Sequence, residues 1–199
     1  VSSFFYYLGT AVDSLLSVFG IRAPYEQPKY QVIAHAGAVE IRDYAPRVAV
    51  ETPVLDGNEG AAFGRLFRYI TGANVTHGKI AMTVPVEMSG RNIPMTVPVE
   101  TASDGAMRFF LPSRVAAEGA PAPTEKDVHL VNLPAITMGV VTFSGVLSDA
   151  SRAKHEQILL ADLKASPWHP TGGISVFSYD PPFSLPFTRR NEVAIPVAK

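Results

Sequence analysis

Phe63 and Phe67 stand four positions apart in the stretch Asn58 to Met88, NEGAAFGRLFRYITGANVTHGKIAMTVPVEM. On a helix such a pair shares a face, so the two rings would form one flat apolar edge. Gly60 and Gly64 lie beside that edge, and their missing side chains leave room for something flat to approach. The chemistry on offer is burial of a planar apolar ligand rather than bond-making. The same two rings could also be ordinary core. The five histidines, His35, His77, His129, His155 and His169, show no pair at the spacing of a metal site. No Walker loop, dinucleotide fingerprint, zincin motif, EF-hand loop or nucleophile elbow is present.

The helix that positions the two rings has its own signals. Asn58 is a plausible N-cap, Glu59 belongs to the first turn, and Gly72 is a terminator. At about 100° per residue, Glu59, Ala62, Phe63, Leu66, Phe67, Tyr69 and Ile70 fall on one arc, with Ala61, Gly64, Arg65 and Arg68 opposite. That arc spans about 160°, wider than the roughly 100° stripe a core-facing helix needs. The surplus lies on the Phe63/Phe67 edge. A polar loop, Ala73 to Lys79, leads to an alternating strand at Ile80–Met88, and MTVPVE recurs at Met95–Glu100 as a second strand.

Around this centre the chain reads mostly as strands. Tyr30–His35 and Ala38–Tyr44 form a hairpin at Gly37, and Arg47–Val54 follows as a third strand. Met107–Leu111 is another. Ala116 to Pro123 reads as a loop, after which come strands Val128–Leu133 and Ile136–Phe143. A helix capped by Ser148 or Asp149 runs to about Ala165, with Leu159, Leu160 and Leu163 as its apolar side. Strands at Ile174–Tyr179 and Glu192–Val197 close the chain. Each half is therefore strands, one helix, strands, which predicts an α+β fold with an antiparallel sheet, either open or closed into a barrel. Residues 1–24 stand apart as an apolar extension. Phe4 to Phe19 carries Asp13 and is shorter than the ~20 residues of a bilayer span, so it reads as an amphipathic helix docking on the body, a partner or a membrane surface.

Composition narrows the partners. A net charge of −1 recommends neither nucleic acid nor an anionic membrane. With no cysteine there are no disulfides, thiolate ligands, cysteine nucleophile or covalent haem attachment. The compartment stays open, cytoplasmic or periplasmic, because a cysteine-free chain is at ease in either.

Several motifs in order carry a family resemblance: EIRDY ending the first hairpin, GKIAMTVPVEM at Gly78–Met88, IPMTVPVE at Ile93–Glu100, MRFFLPS at Met107–Ser113, FSG at Phe143–Gly145 and YDPP…RRNEV at Tyr179–Val193. They resemble the SOUL haem-binding protein family over roughly Tyr25 to Val197, making residues 25–199 one domain. The resemblance implies a distorted eight-stranded antiparallel barrel with two flanking helices in a pseudo-twofold repeat. It also implies non-covalent binding of haem or a related porphyrin in a hydrophobic cleft along the first helix. Phe63, Phe67 and Arg68 match that cleft, with Tyr179 nearby, and Arg68 would meet a propionate by a charge-assisted bond. An axial histidine that some members carry in the stretch matching EIRDY is Asp43 here, so that ligand does not transfer. His77, in the loop after the helix, is the candidate iron ligand, though a loop histidine is as readily a solvated one. Asn191, Glu192, Arg189 and Arg190 are expected to fix the last strand and its turn.

Three functions stay open on these residues. The first is a tetrapyrrole-binding protein for buffering, transport or sensing. The second is an enzyme acting on or through bound tetrapyrrole, with His77 as its one obvious proton shuttle. The third is an effector-binding module for small hydrophobic molecules, which would favour an acidic or aromatic cage over Arg68.

Overall fold

The computed structural model describes residues 25–75 and 90–199. The expected N-terminal helix, the strand at Ile80–Met88 and His77 lie outside the described residues. The first half contains β1 (Tyr30–Ala36), β2 (Val39–Tyr44), β3 (Arg47–Pro53), α1 (Glu59–Ile70), β4 (Asn74–Val75), β5 (Val99–Thr101) and β6 (Ala106–Phe110). The second contains α2 (Ser113–Glu118), β7 (Ala122–Pro123), β8 (His129–Leu133), β9 (Ile136–Phe143), α3 (Asp149–Lys164), β10 (His169–Pro170), β11 (Ser175–Ser178) and β12 (Asn191–Ala198).

Among the described residues, one antiparallel sheet runs β1-β2-β9-β12-β11-β5-β6-β3-β8, with β10 added on β12; β4 and β7 pair separately. The sheet is curled into a half-barrel with helices against it, an α+β architecture. The halves meet where β5 pairs with β11, Glu100 opposite Phe177. Strand alternation sorts the core into layers. Val39, Ile41, Val141 and Val193 face Leu159 and Leu163 of α3. Val50, Met107, Phe109 and Leu111 face Ala62, Leu66, Tyr69 and Ile70 of α1. Neighbouring positions on the same strands, among them Tyr44, Ala49, Phe110, Val140 and Ala194, pack on the inner face with Phe177 and Tyr179.

The first turn shows why local signals suffice in places. Gly37 sits at φ +59°, which glycine adopts without a Cβ clash, and Ala38 N–H donates to Asp162 Oδ2 of α3 at 2.7 Å. A Cβ on Gly37 would lie 2.4 Å from that same oxygen.

Three expectations need correction. The strand at Met95–Glu100 is confined to Val99 onward: Pro98 has no N–H for a ladder, and Thr96 Oγ1–H donates to the Phe110 carbonyl instead. The Ala116–Pro123 loop holds the end of α2 and all of β7, whose partner β4 lies at the far end of α1. Leu160 is exposed, because the face of α3 that points at the sheet is the one carrying His155, Leu159 and Leu163.

Candidate functional site

Helix α1 is closed at both ends by the residues expected to do so. Asn58 Oδ1 accepts from Ala61 N–H at 2.9 Å. At the other end Gly72 takes φ +127°, Ala73 N–H reaches the Arg68 carbonyl at 2.8 Å, and Gly72 N–H reaches that of Tyr69 at 3.4 Å. This is the double bond of a Schellman cap. Three side chains then fix the helix on its surroundings. Arg65 Nε–H donates to Thr52 Oγ1 at 2.8 Å, and Tyr69 O–H donates to the Pro121 carbonyl at 2.8 Å. Buried Asn74 bonds the Tyr69 and Arg91 carbonyls through Nδ2 and the Arg91 N–H through Oδ1.

The buried stripe of α1 is Ala62, Leu66, Tyr69 and Ile70, and it uses none of the phenylalanines fully. Phe63 remains 37% exposed and Phe67 45% exposed. Their rings stack at 6.1 Å and 14° between planes, while Phe63 meets Phe109 edge-on at 5.1 Å. One ring is thus braced from the sheet and the other lies nearly parallel to it, more open to solvent. Arg68, in the last turn, holds Glu125 in a fork: Nε to Oε1 at 2.7 Å and Nη2 to Oε2 at 3.0 Å. That bond holds the Glu125 carboxyl below the usual carboxylate range. The pair is exposed and solvent-screened, so another carboxylate can exchange with Glu125.

Tyr179 is placed apart from this edge. It is buried on the inner face with Tyr44 and Phe110, whereas the α1 cluster contains Phe109, the neighbour that points the other way. Its O–H donates to Glu192 Oε2 at 2.8 Å, and the Arg190 guanidinium lies 4.1 Å over its ring. Glu192 is the hub there, fully buried. Its Oε1 accepts from Arg42 Nη1 at 3.0 Å, from Arg190 Nη2 at 2.6 Å and from Thr142 Oγ1 at 3.1 Å. The expected structural roles hold for Arg190 and Glu192, and for Asn191, whose Nδ2 donates to the Gly145 carbonyl at 3.0 Å. Arg189 bonds the Ser184 and Pro182 carbonyls. Arg42 went unremarked in the sequence because its partner is 150 positions away.

Burial pushes the Tyr44 phenol up to about 12, with the Glu192 charge adding to it, and burial alone pushes Tyr69 up to about 12. In the unfolded chain both ionise near ~10, so between these values the unfolded state has released protons the native state keeps. Stability is therefore complete below pH ~10 and falls as pH rises toward ~12. Urea midpoints at pH 8, 10 and 11 are expected to show the decline beginning only above the second.

Among the described residues no three His, Asp or Glu side chains gather as a metal site. His155 stacks on Phe143 at 3.9 Å and has Nδ1 2.6 Å from the Ser151 carbonyl, which makes it part of the α3 packing. Likewise among those residues, no helix is long and apolar enough to cross a membrane.

A protein-family model described as SOUL heme-binding protein matches residues 25–196. Heme-binding protein 1 of Mus musculus is 28% identical over 139 residues, 66% of this chain and 67% of that protein. A crystal structure of an uncharacterized conserved protein from Listeria innocua aligns with a TM-score of 0.51 at 11% identity, covering 88% of this chain and 94% of that one, a likeness of fold alone. A match along most of the sequence, with the half-barrel and its helices in place, leads to one assignment: this chain belongs to the SOUL heme-binding protein family.

Proposed function

We propose that residues 25–199 bind haem or a related tetrapyrrole non-covalently against the outer edge of α1, in buffering, transport or sensing. The observation that carries this is the stacked Phe63/Phe67 pair, left outside the core on a helix fixed at both ends. A porphyrin offers a broad apolar face, and burial at about 25 cal/mol per Å² makes ring-on-ring contact the main source of affinity. Arg68 supplies the polar end of the site, since its grip on Glu125 is the one a propionate would take over. When bound, haem would bring iron chemistry, and His77 is the residue we assign to reach it. Relatives named for heme binding support the ligand class.

The finer plan of the fold supports choosing α1. We read β2-β9-β12-β11 and β8-β3-β6-β5 as matched halves of an eight-stranded distorted barrel, α1 following β3 as α3 follows β9. Of these two matched helices, α1 exposes two aromatic rings, whereas α3 exposes Leu160 alone among its large apolar side chains. A lipophilic cation would seek an unpaired acid, and Glu192 is already shared by Arg42 and Arg190.

Titrating the purified chain with ferric haem tests the reading. A saturable Soret shift is expected, weakened at least about tenfold by Phe67→Asp, which puts a charge where the ring plane must seat. Phe187→Asp is the control, because Phe187 is more exposed still but lies on the loop between β11 and β12. Equal weakening by both substitutions, or no shift in the wild type, overturns the proposal.

A further inference from the structure

Arg47 differs from the other arginines of the described residues. Each of those donates at least one hydrogen bond to a carboxylate, hydroxyl or carbonyl. Arg47 does not: its Nε and Nη1 are buried without any hydrogen-bond partner. What surrounds its guanidinium is aromatic, with Tyr44 5.0 Å and Phe110 5.3 Å from the charge centre. Ring faces attract a cation but accept no N–H bond of ordinary strength, so the donors stay unmatched. The strongest influence of opposite sign is Glu100, which acts on Arg47 through space without a direct bond and has its own Oε2 unbonded. Glu100 is also an ion-pair partner of Arg108 at 3.6 Å.

Arg47 also lines a cavity of about 290 Å³ at one end of the sheet, where residues of both faces meet the segment 26–29. Its walls are largely apolar, from Pro28, Val48, Phe110, Leu111 and Leu133. Lys29 is the second cation on the rim. Glu26 also lines it, but one carboxylate oxygen is held by the Ser113 backbone N–H at 2.9 Å and by the Ser113 hydroxyl. Two cations against one tethered carboxylate leave the cavity net positive. The volume is at the small end of the ~300–1,000 Å³ range of ligand pockets.

We propose that this cavity binds a small monocarboxylate with an apolar body, its carboxylate on Arg47 and its body against Val48, Phe110 and Leu133. A guanidinium takes a carboxylate by charge-assisted N–H bonds, here through Nη2, because Nε and Nη1 present no surface to the cavity, and the ligand supplies the directly bonded counter-charge that Arg47 lacks. The site is separate from the α1 edge. Phe63, Phe67 and Arg68 of that edge do not line the cavity. The proposal does not rest on tetrapyrrole binding and stands or falls without haem.

Octanoate serves as the probe, with octan-1-ol as its uncharged counterpart, added to the full ¹⁵N-labelled chain and followed by NMR. Octanoate is expected to move the Arg47 side-chain Nε–H and the amides of Ala45 and Ala116 saturably, and to bind at least about tenfold tighter than octan-1-ol. Arg47→Gln should remove that preference while leaving the haem titration as in the wild type. Because losing a buried charge can alter folding, Ala116→Phe gives a second test: it fills the cavity from its wall and keeps the arginine. It too should abolish the octanoate shifts. Equal binding of octan-1-ol, unchanged octanoate affinity in Arg47→Gln, or shifts that gather on α1 would each overturn the assignment.

Discussion

Replacing Glu192 with alanine is expected to cost about 3–5 kcal/mol of stability, the range for breaking one side of a buried ion pair. The acid lies on β12, the strand that joins β9 to β11 in the sheet, and none of it reaches solvent. Arg42, only 2% exposed, and Arg190 both donate to Oε1, while Tyr179 occupies Oε2. Without the carboxylate, two guanidinium charges lie against each other in an apolar shell made of Tyr30, Tyr44 and Tyr179. Arg42 keeps Glu40 at 2.6 Å, but that acid is part-exposed and cannot serve both cations. For a domain of this size, the loss corresponds to a Tm lower by about 10 °C. Thermal unfolding followed by circular dichroism measures it. Glu192→Gln keeps the shape and one acceptor, so a loss as large as that of alanine would show that charge, rather than packing or hydrogen bonding, dominates. A change below ~1 kcal/mol in the alanine variant would mean that water reaches the arginines and that the hub is not a closed one.

That hub marks the limit of what local pattern can reveal. The helix α1 was legible because every signal that defines it lies within fifteen residues: Asn58 to cap, the 3.6-residue stripe, Gly72 to stop. The width of the stripe even located the two rings that stay outside the core. Tyr179 was not legible in the same way. Alternation tells that Phe177 and Tyr179 share a side, but not whether that side faces α1 or the inner face. The answer depends on β11 pairing with β5, some eighty positions earlier in the chain. Arg42 and Arg47 carry no local signal that sets them apart in their strands. Only the curl of the sheet makes one a partner of Glu192 and leaves the other facing a cavity. The short helix α2 was hidden by composition, since a six-residue Ala-rich turn next to Gly and Pro reads as loop.

Leu66→Ala and Phe67→Ala, adjacent on one helix, are expected to fail in opposite ways. Leu66 is fully buried between α1 and the sheet, in the cluster with Val50, Phe109 and Ile70. Its truncation leaves a hole that fixed strands cannot close, at a cost of about 2–5 kcal/mol. Phe67 touches solvent over nearly half its surface and, among the described residues, stacks only on Phe63. Losing the stack costs about 0.5–1.5 kcal/mol, and alanine returns up to ~0.7 kcal/mol through its helix propensity. With the covered half of the ring also returned to water, the net loss should be about 1–2 kcal/mol, below that of Leu66→Ala. The haem titration should reverse the order: Phe67→Ala weakens binding, whereas Leu66→Ala, assayed at a temperature where it remains folded, keeps the ring pair and most of the affinity. Urea unfolding and haem titration of the two variants separate the roles. If Phe67→Ala unfolds as readily as Leu66→Ala, the rings belong to the core, and the edge of α1 has nothing left over with which to hold a ligand.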